Sequence, residues 1–415
     1  MKFNKILMIF LLPVLIFAEE TVLSWETCVK EALSNSPDLK SAKEKIFQAE
    51  KDLLALQCGN LPQVSGSLNQ NNSYTLSSGT YSASSGYSLS GRYTLYDGNQ
   101  FAFDTAVTRE RVNAAKFAYE AASAGVRYSL RIAFLDLLKT QELVNITGEI
   151  KKSRKENYDM VKLSYDAGSE HKGSVLLAEA NFLQADYELT AAKRNLELAS
   201  TKLLRQLGRK NDSPVKVISG VDIKIEQKDK PDLKKLVESN PSYKQSLAQK
   251  NIAEYGLKSI QTTTAPQISL SGSAGKSASN FNWSVPDISA GISLSLLLFD
   301  GGKNGAQVER AASAIIQAEF DLISSAFDLE VALFNTWINL KNSLDLGGVR
   351  NKFLEATKSR AEIAEVQYLS GLIAFDNWTI IEDDLVNSKK SLLDAQINSL
   401  SAENAWLNAQ GKALE

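Results

Sequence analysis

The sequence predicts a mostly α-helical fold with transmembrane β-hairpins, built from two copies of one structural unit. Three observations lead to this prediction. Short motifs recur at a constant offset, proline is absent from two very long segments, and two Ser-rich segments alternate polar with apolar residues. A duplication held without large insertions indicates that both halves have the same geometric role in one assembly.

The duplication is visible as paired motifs. Pro37 and Pro241 lie 204 residues apart, and Tyr165 and Tyr368 lie 203 residues apart. The same two offsets separate Pro62 from Pro266, Tyr96-Asp97-Gly98 from Phe299-Asp300-Gly301, and Leu204–Gly208 from Leu407–Gly411. We therefore divide the chain after its leader into a first repeat over 19–208, a linker over 209–236 and a second repeat over 237–415.

The start of the chain has the pattern of a secretory signal peptide. Two lysines precede an apolar run over 6–17, and Ala18 stands before Glu19 and Glu20. The run is too short to span a bilayer as a helix, which makes an uncleaved anchor the weaker alternative. Residues 1–18 are interpreted as a signal peptide, and the cleavage site is left open.

The composition argues against several classes of function. The chain has 46 basic and 48 acidic residues, two cysteines and one histidine. This charge balance does not suggest a nucleic-acid partner, and two cysteines do not make a disulfide framework. Because no nucleophile–base pair, phosphate loop or metal-ligand spacing occurs, we predict neither an enzyme nor a cofactor or metal site. The lone His171 is interpreted as an exposed residue rather than a ligand.

Two proline-free segments predict very long helices. No proline occurs in 63–213 or 287–415, and proline inside a helix costs about 3 kcal/mol. We expect long helices over 99–165 and 302–367, each about 100 Å long at ~1.5 Å per residue. Helices of this length indicate a bundle, a coiled coil or a tube.

Each long helix is followed by a reversal and a return helix. Glycines in 166–174 and 369–377 are expected to end the long helices, since glycine tolerates the left-handed turn found there. The return helices are predicted over 175–207 and 378–411. On both, apolar residues recur every seven positions, which favours supercoiled packing over an ordinary amphipathic helix. These residues are Val175, Phe182, Leu189, Leu196 and Leu203, and then Val386, Leu393, Leu400, Leu407 and Leu414.

The segments over 62–97 and 266–300 predict β-hairpins. In both, Ser, Thr, Asn and Gln alternate with apolar residues, as from Tyr87 to Leu95. Alternation alone fits any half-buried strand, but a polar face of hydroxyls and amides favours a wetted lumen with the apolar face toward lipid. The Ser- and Gly-rich links over 77–86 and 275–284 are expected to be exposed loops.

Four such strands per chain cannot close a membrane barrel. The smallest membrane barrels have about eight strands, and an open edge in lipid costs several kcal/mol for each unsatisfied backbone group. The chain is therefore expected to oligomerise. The residues alone require more than one copy and do not fix the number.

The order of these elements resembles the outer-membrane efflux proteins typified by TolC. The resemblance extends from about Ser24 to Gly411 and rests on hairpin, Asp-Gly turn, long helix, Tyr-x-x-Gly reversal and heptad return helix, each present twice. It implies a homotrimer with a twelve-stranded outer-membrane barrel and an α-helical barrel that crosses the periplasm of a Gram-negative bacterium. It also implies passive efflux or type I secretion of small molecules, metals or polypeptides. The implied partners are a periplasmic adaptor (membrane fusion protein), an inner-membrane pump or ABC transporter, and outer-membrane lipid.

The resemblance further implies a docking site at the periplasmic tip. The two reversals would form this tip, where members of the family bind the adaptor. Tyr165 and Gly168 in the first copy, and Tyr368 and Gly371 in the second, match the reversal motif.

A pore constriction is implied just after the second reversal. Members of the family narrow the pore there with two aspartates, and those positions hold Asn377 and Ile380 in this sequence. Asp376 and Glu382 are the nearest acidic residues. The candidate constriction is therefore Asp376, Asn377, Ile380 and Glu382, and it is left open whether the gate is polar, apolar or a shifted acidic one.

A different class of function also fits long helices and a shared barrel. A trimeric coiled-coil adhesin, or a structural spacer of the envelope with a barrel anchor, would use both. The duplicated hairpin favours a channel, since an adhesin needs only one anchor region. The cargo, and the choice between efflux and protein secretion, are not specified by the sequence.

Overall fold

The computed structural model describes residues 21–209, 215–218, 230–279 and 285–414. The signal peptide expected over 1–18 and much of the linker over 209–236 lie outside these residues. In the described part the chain is mostly helical, and two pairs of long antiparallel helices extend from one small sheet. The mostly α-helical fold class is thus confirmed.

The elements of the first half are β1 (Thr21–Leu23), α1 (Trp25–Asn35), α2 (Pro37–Gly59), β2 (Gln63–Thr75), β3 (Thr80–Tyr96), α3 (Gln100–Asp166) and α4 (Lys172–Gln206). Those of the second half are β4 (Val215–Val217), α5 (Leu233–Ser239), α6 (Pro241–Gln261), a 3-10 turn (Thr262–Thr264), β5 (Gln267–Ala278), β6 (Asp287–Ser295), α7 (Lys303–Leu369) and α8 (Phe375–Ala409). The series α2, β2, β3, α3, α4 therefore recurs as α6, β5, β6, α7, α8.

The two hairpins form one antiparallel sheet in the order β2-β3-β5-β6. Strand β3 is longer than expected, because residues 80–86 of the predicted loop over 77–86 belong to the strand. The ladder continues to the pair Thr75 and Thr80, and the hydroxyls of Ser73 and Ser82 lie 2.7 Å apart. Strand pairing thus outweighs the loop-like composition, and the turn closes at Gly79 with a φ of +62°.

The two long helices begin at matching caps. Asp97 Oδ2 accepts a hydrogen bond from the Phe101 backbone N–H over 2.7 Å, and Asp300 Oδ2 accepts one from the Asn304 N–H over the same distance. The two residues that follow each aspartate have positive φ, including Asn99 at +71°. The aspartate of the repeated Asp-Gly motif therefore caps the start of each long helix.

Helix α3 is at the centre of the packing, in contact with α2, α4, α6 and α8. Its residues Leu130, Phe134 and Leu137, near the middle of the helix, are fully buried in a core together with Leu203 and Leu207 from the end of α4 and the residue after it. The short parallel pair β1–β4 adds Val215 and Val217 to this core.

The contact between α3 and α4 is lined by small residues that the sequence analysis did not select. Four alanines recur every seven residues on α4 and are almost completely buried, while the predicted seam from Val175 to Leu196 is only half-buried. They are Ala178, Ala185, Ala192 and Ala199. Alanine allows two helix backbones to approach closely, which places this second row deeper than the larger residues beside it.

Candidate functional site at the helical reversals

Both reversals close with the same hydrogen bonds. Gly168 N donates to Tyr165 O, and Gly371 N donates to Tyr368 O, each over 2.9 Å. The two glycines have φ values of +77° and +71°. Because this left-handed conformation is costly for residues with a Cβ, each reversal requires glycine for its backbone geometry.

The return helices begin differently in the two copies. His171 Nδ1 accepts a hydrogen bond from the Ser174 backbone N–H over 3.2 Å and caps α4, whereas Ala374 provides no side-chain cap for α8. The return helices start at Lys172 and Phe375, so the reversals are shorter than 166–174 and 369–377. His171 is exposed, as expected, but its capping role was missed because Ser, Thr, Asp and Asn are the usual N-cap residues.

An aromatic cluster anchors the second reversal. The rings of Tyr368 and Trp378 are stacked with centroids 4.6 Å apart, and Phe375 lies 6.0 Å from each ring. Trp378 and Phe375 are buried against Val161 of α3 and Ala178 of α4. This cluster therefore fixes the second reversal to the first helical hairpin.

One hydrogen bond joins the two reversals directly. Tyr368 Oη donates to Glu170 Oε1 over 3.1 Å. Burial raises the pKa of the Tyr368 phenol far above its usual value, and the Glu170 carboxylate raises it further, so the hydroxyl stays protonated and available as a donor. The equivalent Tyr165 is 41% exposed and outside the aromatic cluster, so the two tyrosines are not equivalent.

The structure brings three of the four candidate constriction residues together. Asp376, Asn377 and Ile380 are exposed along one face of α8. Glu382 is half-buried and points elsewhere, because two residues rotate a helix by about 200°. Burial raises the pKa of the Glu382 carboxyl, although the nearby Arg154 opposes this shift.

A buried arginine links the two hairpins behind this face. The side chain of Arg154 on α3 is only 7% exposed, and its guanidinium donates to Asp383 Oδ1 on α8 over 2.6 Å. Partial burial acts against ionisation of Glu188 on α4, yet hydrogen bonds from Lys390 and Gln184 and the charge of Arg154 lower its pKa. Sequence reasoning missed Arg154 because its partner lies 229 residues away, and no local pattern marks it.

The described residues contain no cluster of three or more His, Cys, Asp or Glu side chains able to hold a metal ion. Over the same residues, no helix carries an apolar stretch long enough to cross a bilayer. Cys28 is buried in α1 and Cys58 is exposed on α2, both as free thiols.

Comparison with known proteins agrees with this geometry. Residues 28–209 match the family described as outer membrane efflux protein. Nodulation protein T of Rhizobium leguminosarum bv. viciae is 24% identical over 411 residues, covering 92% of this chain and 80% of that protein. Outer membrane efflux protein BepC of Brucella suis biovar 1 (strain 1330) is 21% identical, covering 94% of this chain and 88% of its own. The chain is a relative of the outer membrane efflux proteins.

The structural likeness extends beyond the matched segment. The solved structure of CusC aligns with a TM-score of 0.82 at 16% identity, covering 94% of this chain and 92% of that one. Both repeats therefore share the fold of CusC. Together with the family match, this confirms the resemblance inferred from the sequence. The described residues of one chain form a four-stranded sheet, which is not by itself a closed barrel.

Proposed function

We propose that the chain is one subunit of a homotrimeric outer-membrane efflux channel, a passive exit duct of a Gram-negative bacterium. The observation that carries this proposal is the open sheet, in which β2 and β6 are unpaired edges. Apolar side chains such as Val64, which is 70% exposed, lie on one face, and serine hydroxyls lie on the other. Three copies of four strands would give a closed barrel of twelve, with the apolar face toward lipid and the hydroxyls around a water-filled bore.

The helical part supports the same assembly. Helix α7 exposes a row of apolar side chains at helical spacing, among them Phe320, Phe327 and Val331, and Phe327 is 64% exposed in a single chain. A row of this kind normally packs against another helix. Neighbouring subunits would cover it and extend the barrel as a helical tube into the periplasm.

The reversals would be the periplasmic tip and the gate of this tube. In the closed state, the hydrogen bond from Tyr368 to Glu170 holds the two reversals of one subunit together. Asn377 and Ile380, with Asp376 beside them, would line the constriction, since they are the exposed residues of α8 next to the reversal. Glu382 would not face the pore, and it would influence the constriction through its electrostatic interaction with Arg154. Opening would break the hydrogen bond and tilt α8 outward.

The tip would also be the docking site for a periplasmic adaptor, coupled to an inner-membrane pump or ABC transporter. Exposure of Tyr165 favours direct contact with such a partner, whereas Gly168, Gly371 and the partly buried Tyr368 would hold the docking surface in shape. The bore is lined by small polar groups that are compatible with small molecules, metals or polypeptides as cargo.

Conductance of the purified protein in planar lipid bilayers tests the channel. We expect discrete ion-conducting steps from a trimer. An adhesin or a spacer would trimerise without conducting, and a stable monomer with no conductance would contradict both the channel and the trimer.

Cross-linking of the tip tests the gate. Asn377→Cys, in a Cys58→Ser background that removes the exposed thiol, places one cysteine per subunit at the constriction. A bifunctional thiol reagent that can be cleaved by reductant should abolish conductance until reductant is added. Unchanged conductance after complete cross-linking would refute gating at the tip.

A further inference from the structure

A single arginine interrupts the uncharged polar face of the sheet. Directly paired residues of antiparallel strands share a face, so the register defines which side chains lie together. Along the polar face, the described strand residues are Ser, Thr, Asn, Gln and Gly with two exceptions, Arg92 on β3 and Asp287 on β6. Asp287 is paired with Lys276 Nζ at 3.4 Å. Arg92 is exposed and forms no ion pair with any residue of the described ranges.

Arg92 belongs to a row that crosses all four strands. Gln63 is its partner on β2 and Ser271 its partner on β5, and Ser271 in turn faces Gly291 on β6. These four residues help to line a concavity of about 570 Å³ on the sheet. At the end of the row, a Cβ at Gly291 would meet nothing within 4 Å. The concavity lined by Arg92 gives a solute room to bind beside it.

The serines in the row next to Arg92 are hydrogen-bonded to one another. In the next row along the sheet, the hydroxyls of Ser65 and Ser90 lie 2.9 Å apart, and those of Ser273 and Ser289 lie 2.8 Å apart. These neutral pairs do not neutralise a charge. The electrostatic character of this level of the sheet is thus determined by Arg92.

No carboxylate of the sheet or its adjoining turn is placed to neutralise Arg92. Asp287 lies four residues further along the sheet than the Arg92 row, or about 13 Å at ~3.3 Å per residue. Asp97, five residues beyond Arg92, is about 16 Å away and accepts a hydrogen bond from Phe101. Both separations exceed the Debye length of about 8 Å at physiological ionic strength. The edge strands that a neighbouring copy would contribute carry no other acidic residue.

We propose that Arg92 forms a ring of three guanidinium groups near the helical end of the bore and makes the channel prefer anionic solutes. This inference rests on the proposed trimeric channel. Rings of charged side chains set ion selectivity, and arginine is the residue used in pores for anions and phosphate. A guanidinium binds carboxylate or phosphate groups through paired N–H donors. The solutes selected would therefore be organic acids, phosphorylated compounds or simple anions.

The test is the reversal potential of the reconstituted trimer across a KCl gradient near physiological ionic strength, where the charges of Asp287 and Asp97 are screened from Arg92. The wild-type channel should prefer chloride over potassium. Arg92→Gln should lower the permeability ratio several-fold, Arg92→Glu should invert the preference, and Arg92→Lys should retain it. The double variant Lys276→Gln with Asp287→Asn is the matched control, since it removes the ion pair of the same sheet without changing its net charge and should leave the ratio unchanged.

A second readout tests binding at the same place. Inorganic phosphate added on the barrel side should reduce the chloride current through the wild-type channel more than through Arg92→Gln. If all variants conduct with the wild-type reversal potential and the same phosphate response, the arginine ring is refuted while the channel stands. If the wild-type trimer does not conduct at all, the channel and the inference built on it both fail.

Discussion

Tyr368 Oη lies 3.1 Å from Glu170 Oε1, so one hydrogen bond ties the reversal of the second repeat to that of the first. Each reversal is otherwise closed by its own backbone. The tip of a subunit is therefore not two independent turns, because side chains of α7 and of the first reversal hold them together. This relationship makes the tyrosine, rather than either glycine, the residue whose loss should loosen the tip.

Tyr368→Phe should favour the open tip. The variant keeps the ring that stacks on Trp378 and loses only the hydroxyl, whose bond to a carboxylate contributes about 1.5 kcal/mol, or roughly a tenfold change in the equilibrium. Single-channel recording should show a higher open probability. Tyr165→Phe is the control, since Tyr165 is exposed and outside the aromatic cluster. Equal open probabilities in both variants would exclude the hydrogen bond as a lock.

Asp383→Asn should destabilise the protein more than Asp384→Asn. The first change leaves the buried guanidinium of Arg154 without its charged partner, at a cost of about 1–3 kcal/mol. We expect the lower part of that range because Asp383 itself is 58% exposed. Asp384 pairs with the exposed Arg360 at 3.1 Å, and such surface pairs contribute about 0–1 kcal/mol. Thermal unfolding of both variants measures the difference, and equal midpoints would contradict the assigned role of Arg154.

Gly411→Ala should cost more stability than Gly371→Ala. Both glycines have nearly the same φ, +72° and +71°, so each alanine pays about 1–2 kcal/mol for the left-handed conformation. At Gly371 a new Cβ meets nothing within 4 Å, whereas at Gly411 it would lie 2.4 Å from Pro241 Cδ. Thermal midpoints should fall further for Gly411→Ala. A larger fall for Gly371→Ala would mean that the tip is more tightly packed than a single subunit indicates.

Glu382→Gln should stabilise the protein at neutral pH and flatten its pH profile. Burial raises the pKa of Glu382 above its ordinary value of 4.5, with further contributions from Glu365 and Asp383. Because the pKa of Glu382 is raised in the folded state, its contribution to folding stability is fully present below about pH 4.5. That contribution is lost as the pH rises through the folded-state pKa. The midpoint of the variant should therefore exceed that of the wild type at pH 7, with a gap that narrows toward pH 4.5. A gap independent of pH would show that Glu382 is not the titrating group.

Phe327→Ser should weaken the trimer without unfolding the subunit. Phe327 is 64% exposed on α7 in a single chain, so its replacement removes little internal packing, but a neighbouring copy would lose a large apolar contact. Size-exclusion chromatography in detergent with light scattering should show dissociation at lower protein concentration, while circular dichroism shows unchanged helix content. A trimer as stable as the wild type would place the subunit interface on another face of α7.

The long helices could be predicted because their signals are local. The proline-free segments predicted helices over 99–165 and 302–367, and the structure has them at Gln100–Asp166 and Lys303–Leu369. Glycine likewise marked the reversals, since only the backbone of the glycine itself decides whether a left-handed turn is possible.

The contacts of the tip could not be predicted in the same way. The bond from Tyr368 to Glu170 spans 198 residues and the pair of Arg154 with Asp383 spans 229, so neither leaves a pattern within one segment. The buried face of α8 could not be predicted for a related reason. Helix geometry alone directs Glu382 about 200° away from Ile380, but only the packing of α8 against α7 and α3 shows which of these directions is exposed.

The cap at Asp97 leaves only three residues between strand and helix. Strand β3 ends at Tyr96 and α3 starts at Gln100, so the few residues between them are all engaged in the turn. A rotation of α3 at this junction would therefore also rotate β3. In the proposed channel, the tip would therefore open by bending of the long helices, with little movement of the strands at their other end.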